Sequence, residues 1–294
     1  MLGSISGLSK LKLRVSLRGD PLNILICENL LSADVYLRSL LEPHLTEDEL
    51  NTVGLVETSV GRMVPLPDEN SADPLLIQAG PYPYLPYDRD AWKGELPPGD
   101  SLIPISPFRF IVERKLYLHN MGHAVCAYLG MERGYHTIAD AIEDPEIRWV
   151  VREAMTESAC ALAGRYRKGV DELLLYSEDL MRRFGNRALG DTCERVGRDI
   201  PRKLARTDRL TGTALSVLGA GGHPVYIAIG AAAALNLSCA ENPASFLTKY
   251  SQLADGEYYH DTLAFSSMLC SRRPLSDLIR RADTVLSERV GMVM

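Results

Sequence analysis

The sequence predicts an α/β portion over residues 1–105 followed by a mostly α-helical domain over 106–294. Three observations carry this reading. A short apolar run, Leu22 to Cys27 (LNILIC), is bounded on both sides by turn-forming residues, as a buried strand would be. A proline-rich stretch runs from Pro65 to Pro107. Beyond it, long segments repeat apolar residues at three- and four-residue spacing. Val53 to Val56 is a second apolar stretch ahead of the prolines. The prolines forbid a long helix and predict edge strands and loops. Leu75, Leu76, Ile77, Tyr82, Tyr84 and Trp92 are available to a core in this stretch. After Pro107, the segments Phe110–Leu129, Ile138–Tyr166, Val170–Phe184 and Pro274–Val290 are predicted helices with one buried face. Gly130 is the expected stop of the first, and Leu218 to Gly222 (LGAGG) reads as a turn.

Composition narrows the function classes. A chain of 294 residues, 46% hydrophobic and 24% charged, has room for two domains and the balance of a globular protein. A net charge of -6 argues against general nucleic-acid binding, which needs an excess of Lys and Arg. Ile227 to Leu237, the longest small and apolar run, is too short to span a bilayer, so no membrane partner is expected. Lys10, Lys12, Arg14 and Arg18 are scattered rather than set ahead of an apolar block, so no secretory signal is expected either. Cys27, Cys126, Cys160, Cys193, Cys239 and Cys270 form no CxxC pair. They are expected as buried free thiols in a reducing cytoplasm, not as zinc ligands or disulfides.

The chemistry concentrates in Glu113 to Gly130, ERKLYLHNMGHAVCAYLG. At roughly 100° per residue, with Lys115 as zero, His119 falls near 40°, His123 near 80° and Asn120 near 140°. Four chemically able side chains then share less than half of the helix, while Leu116, Leu118, Met121 and Val125 point elsewhere. A lysine, an amide and an imidazole converging on a cleft suit proton removal from an alcohol. The lysine serves as base only if desolvation or a neighbouring cation lowers its pKa from about 10.4. Two other readings stay open. One is a solvated polar stripe. The other is a metal site at His119 and His123, spaced as in HExxH, although Asn120 stands where that motif has its glutamate and no third ligand follows.

Lys115, Asn120 and His123 match the spacing of the polyol-specific long-chain dehydrogenase signature. Three longer segments, PLNILICENL at Pro21, FIVERKLYLHNMGHAVCAYLG at Phe110 and ERVGRDIPRKLARTDRL at Glu194, resemble mannitol-1-phosphate 5-dehydrogenases of the mannitol dehydrogenase family. The likeness runs from about Pro21 to about Leu235. It implies a partial Rossmann-like portion followed by a helical substrate domain, and an NAD-dependent oxidoreductase interconverting mannitol 1-phosphate and fructose 6-phosphate. By the same resemblance Lys115 is the general base, and Asn120 with Asn29, the latter also at the cofactor, forms an oxyanion hole. His123 is implied to hold a substrate hydroxyl and orient the lysine. No metal is implied. Arg195 and Lys203 take substrate-binding positions, and Arg198 and Arg202 extend a basic segment suited to a phosphate, with a solvated basic face as the alternative. His223, in GAGGHPV, matches a histidine of similar phosphate-using enzymes, with a capping or core role equally open.

Two departures accompany the likeness. Relatives open with a strand and a GxGxxG-type turn that takes the pyrophosphate, and nothing of that kind precedes Pro21, where Gly3 and Gly7 in GSISG follow no strand. The expectation is that about the first third of a relative is missing, which leaves NAD binding by this chain open. In Val60 to Pro65, Gly61 stands where the family signature V-D-R-[IV]-x-P has aspartate. A truncated non-catalytic relative, a binding module, or a dehydrogenase of a free polyol or hexuronate are the alternatives carried forward. The oligomeric state is open.

Overall fold

The structure, a computed structural model, describes residues 20–28, 32–62, 64, 73, 79–80 and 82–291. Contacts group the described residues up to 64 and from 79 to 112 into one compact unit, and those from 113 to 291 into a second.

In the first unit the LNILIC run forms β1 (Leu22–Ile26), followed by α1 (Ala33–Leu41), α2 (Glu47–Asn51) and β2 (Val53–Glu57). The two strands pair in parallel, Leu22 opposite Val53 through Ile26 opposite Glu57. A parallel pair needs a long crossover, and the two helices supply it. Ile26, Leu37, Leu41, Leu50, Val53 and Leu55 close into one core. Thr46 and Glu49 cap α2 reciprocally, satisfying amide donors that a helix start leaves free. Gly54 is confined on both sides: a Cβ would collide with the Asn23 carboxamide and lie 2.8 Å from the Ala91 carbonyl. Within the proline-rich stretch, β3 (Leu85–Asp88) pairs in parallel with β4 (Leu102–Ile105). Pro86 and Pro104 lack an amide to donate, and the Pro86 carbonyl still accepts from the Ser59 amide at 3.0 Å beside the Thr58–Tyr87 bridge. Tyr87 is buried and packs on Trp92 with ring centroids 5.2 Å apart. Tyr84, expected in a core, is instead 48% exposed. Its ring meets Tyr82 edge-on. Leu75, Leu76 and Ile77 lie outside the described residues.

The second unit is helical. α3 (Arg109–Arg114) passes without a break into a π turn (Lys115–Asn120) and then α4 (Met121–Glu132). After it come α5 (Ile138–Glu143), α6 (Pro145–Tyr166), α7 (Val170–Phe184), α8 (Cys193–Gly197), α9 (Ile200–Lys203) and α10 (Thr211–Gly219). The chain continues through α11 (Val225–Leu237), α12 (Pro243–Ser251), α13 (Glu257–Cys270) and α14 (Leu275–Gly291). The segment expected as one helix from Ile138 to Tyr166 is two. Asp144 accepts from the amides of Glu146 and Ile147, and Pro145 sits at the first helical position, so a new helix starts there. Gly130 does not end α4, which runs on to Glu132, with Gly134 at φ 77° closing the turn. The reason for Gly130 is packing: a Cβ there would lie 2.8 Å from both the Ala141 Cβ and the Cys193 Sγ. LGAGG is a turn, with Gly221 at φ 80°.

The alanine-rich α11 is buried on every side from Val225 to Leu235 and is the centre of this unit. Among the described residues no helix is long and apolar enough to cross a membrane. The cysteine expectation is corrected in part. Cys126 and Cys193 are buried, but Cys27, Cys160, Cys239 and Cys270 are exposed. Cys160 and Cys270 lie on helices, where apolar neighbours in sequence fall on different faces, and Cys27 and Cys239 lie just beyond the ends of β1 and α11.

Candidate active site

The π turn is the feature that organises the second unit's polar residues. The Met121 amide reaches back five residues to the Leu116 carbonyl, the signature of a π rather than an α turn. The Ser158 hydroxyl on α6 donates to the neighbouring Tyr117 carbonyl at 2.9 Å. A wider turn rotates each residue by less than the α-helical step. Asn120 therefore sits closer to Lys115 around the axis than the roughly 140° of an unbroken α-helix. The α-helical spacing that follows brings His123 back toward the same side.

His119 and His123 stand 5.9 Å apart, ring centre to ring centre. Both pack on Phe184, the last residue of α7. The His123 ring is stacked at 4.7 Å and 10°, the His119 ring tilted at 5.8 Å and 34°. Burial pushes the His119 pKa well below the ordinary range, and His123, Arg183, Lys115 and Arg209 lower it further. Burial, then Arg195, Arg209 and Lys203, lower His123 to about 3. Both imidazoles are thus neutral at physiological pH and able to donate at one nitrogen and accept at the other. Burial also lowers the pKa of Lys115, the direction a general base requires.

His123 Nε2 lies 3.5 Å from Asp191 Oδ2, beyond hydrogen-bond reach, and has no hydrogen-bond partner among the described residues. The other Asp191 oxygen pairs with Arg195 Nη2, while Arg195 Nε is buried with no partner among the described residues. Thr192 starts α8 by accepting from the Arg195 amide at 3.2 Å, which fixes where that arginine begins. Lys203 is only 3% exposed, donates to the Arg198 carbonyl, and is lowered to about 8 by burial, then by Arg209 and Arg202.

The residues singled out from the sequence are therefore not equivalent. Lys115 and Arg209 disfavour the charged form of His119, and Arg195, Arg209 and Lys203 that of His123, so these groups act on one another through charge. Asn120 ends the π turn beside them, its carboxamide capping no helix. Arg202 is half exposed and bound to Asp199 at 2.6 Å and Asp208 at 3.5 Å. Arg198 offers its carbonyl to Lys203 while its side chain is exposed. His223 lies elsewhere: its Nδ1 is 2.8 Å from Glu257 at the start of α13, and Glu257 is 3.6 Å from Arg289 on α14. Asn29 lies outside the described residues. Gly61 is packed under Tyr82, where a Cβ would meet the ring at 3.0 Å. His119 and His123 belong to no group of three or more metal-capable side chains among the described residues.

Phe184, Arg183, Asp191 and Arg209 complete the cluster without having been singled out as site residues. Asp191 had a usable signal, an acidic residue four before Arg195. The apolar period marks Phe184 only as core.

The model of the mannitol dehydrogenase C-terminal domain matches residues 105–251, half of the chain. Mannitol-1-phosphate 5-dehydrogenase of Bacillus licheniformis is 35% identical over 237 residues, 79% of this chain and 62% of that protein. The enzyme of the same name from Brevibacillus brevis is 32% identical over 284 residues, 95% of this chain and 72% of that protein. The chain thus spans 62% to 72% of the length of these two relatives. Among solved structures, a substrate-free D-sorbitol dehydrogenase superposes with a TM-score of 0.71 at 17% identity, over 92% of this chain and 65% of the other. Pseudomonas fluorescens mannitol 2-dehydrogenase, a ternary complex with NAD and D-mannitol, superposes at 0.65 and 15% identity, over 95% of this chain and 66% of the other. These two likenesses establish the shared fold. Sequence and fold agree: the chain belongs to the mannitol dehydrogenase family.

Proposed function

We propose that this chain carries the lysine site of an NAD-dependent dehydrogenase that interconverts mannitol 1-phosphate and fructose 6-phosphate. The observation that carries the reading is that Lys115 shares one continuous helix with two buried, neutral imidazoles, whose charged forms Lys115, Arg195, Lys203 and Arg209 disfavour. A base must be uncharged to take a proton, and a phosphate must be met by charge. This cluster offers both within one unit.

In the oxidising direction Lys115 takes the alcohol proton, and in the reverse direction the protonated amine returns it to the ketone oxygen of fructose 6-phosphate. NAD, when bound, supplies the hydride acceptor. The Asn120 carboxamide donates to the oxygen as negative charge grows there. Losing one such donor typically costs about 2.7–4 kcal/mol of barrier. His123 presents its unpartnered Nε2 to a sugar hydroxyl, so that binding satisfies an atom now buried without a hydrogen bond. Arg195 and Lys203 hold the phosphate, Arg195 by its fork of donors and Lys203 as a point charge. In the first unit, the α1 amide of Ala33 is already donated to the Glu57 carboxylate at 2.8 Å, an unfavourable neighbour for a pyrophosphate. Among the described residues of this unit, the start of α1 is therefore not a pyrophosphate site.

One observation favours a free polyol as the substrate instead. Arg195, Arg202 and Arg209 are each paired with an aspartate, which reduces the charge left for a phosphate. Calorimetric titration separates the two. On the phosphate reading, fructose 6-phosphate binds more tightly than fructose by about tenfold or more, and Arg195→Ala or Lys203→Ala removes that advantage. Equal affinities, untouched by either substitution, would favour the free polyol.

A further inference from the structure

The contacts around His123 single out a residue that the proposed chemistry does not yet use. Phe184 closes α7 and is 2% exposed. Its ring lies flat on the His123 imidazole at 4.7 Å and 10°, and also touches His119 at 5.8 Å. A 10° stack fixes the plane of the imidazole, which packing against an aliphatic side chain would leave free to rotate about its final torsion. At the ring edge, Asp191 Oδ2 stands 3.5 Å from Nε2, too far to fix the ring by a hydrogen bond. The planar contact with Phe184 is thus what orients the ring.

We propose that Phe184 is a positioning residue, holding the His123 ring at the angle that aims Nε2 at the substrate and shielding that ring from water. The inference rests on His123 serving the sugar site proposed above. The groups facing His123 are His119 on its own helix, Asp191 and Arg195 at α8, and Lys203 and Arg209 beyond it, while Arg183 on α7 acts on His119. The cations among them disfavour a charged imidazole. The Phe184 ring adds the exclusion of water, without which these charges act through a more screening medium.

The test uses ring-nitrogen NMR of His123 in the folded chain, with Phe184→Leu and Phe184→Met, which keep apolar volume but lose the planar ring, and Phe184→Tyr, which keeps it. From about pH 8 to about pH 5 the wild-type ring is expected to hold a single neutral tautomer. In the Leu and Met variants tautomers exchange and protonation begins within that range, a rise of about two pH units or more. Fructose 6-phosphate affinity then falls about three- to tenfold, and Phe184→Tyr behaves as wild type. Unchanged His123 signals in a folded Leu or Met variant would overturn the assignment, as would a Tyr variant no different from Leu. If wild type binds no sugar phosphate while the His123 signals change as expected, the proposed function fails and the ring contact stands. Normal sugar-phosphate binding with unmoved His123 signals would mean the reverse.

Discussion

Two stretches supply the cluster, and they are built in opposite ways. The helix from Lys115 to His123 carries its chemistry by local spacing, with every functional side chain within nine residues of one continuous element. The segment from Asp191 to Arg209 carries its chemistry through short helices and turns, and most of its charges are answered by charges of its own. Arg195 is paired with Asp191, Arg202 with Asp199 and Asp208, and Arg209 with Asp208. A run of basic residues in sequence therefore overstates the charge on offer. The buried Lys203, not the exposed arginines, is the member whose charge is most open to change.

Substitutions sharpen that contrast. The largest effect is expected on the helix side: Lys115→Met should lower NADH formation from mannitol 1-phosphate by about 10²–10⁴-fold, measured as kcat with the fold checked by circular dichroism. Next come the half-buried Arg195 and the buried Lys203. Arg195→Ala and Lys203→Ala should each weaken fructose 6-phosphate by about tenfold or more, while Arg198→Ala, with its side chain in solvent, should change affinity by less than about twofold. A uniform loss across all three would mean that the segment acts as a diffuse field and would erase the distinction drawn here. On stability, Gly130→Ala should cost about 1–3 kcal/mol in urea unfolding, because its methyl meets Ala141 and Cys193.

A smaller effect is expected from pH, with opposite signs for the two stretches. Lys203 is protonated below about 8 and neutral above it. Sugar-phosphate affinity should therefore fall as pH rises through that value. Lys115 acts when deprotonated, so mannitol 1-phosphate oxidation should rise with pH and level off below the usual lysine range. Calorimetry and initial rates across the same buffers check both signs, and parallel trends would contradict the division of roles.

The sequence made the helix-side residues legible because an imidazole, an amide and an amine at fixed spacing survive any folding of the rest. The strand at Leu22 and the long helices were legible for the same reason, since their apolar periods are local. The π turn was not. Nothing in KLYLHN distinguishes it from an α turn, and it depends on partners far along the chain, such as Ser158 on the Tyr117 carbonyl. Gly130 read as a stop because glycine ends helices, whereas its position is set by side chains of α5 and α8. His223 illustrates the same limit, since its partner Glu257 lies 34 residues away.

The central claim is that one sugar phosphate is held between these two stretches with its reacting carbon at Lys115. A crystal structure of the chain grown with fructose 6-phosphate tests it most directly. The expected result places the ketone oxygen within about 3 Å of Lys115 Nζ, a sugar hydroxyl on His123 Nε2, and the phosphate against Arg195 and Lys203. A sugar phosphate bound elsewhere, or bound here with its ketone turned away from Lys115, would contradict the account.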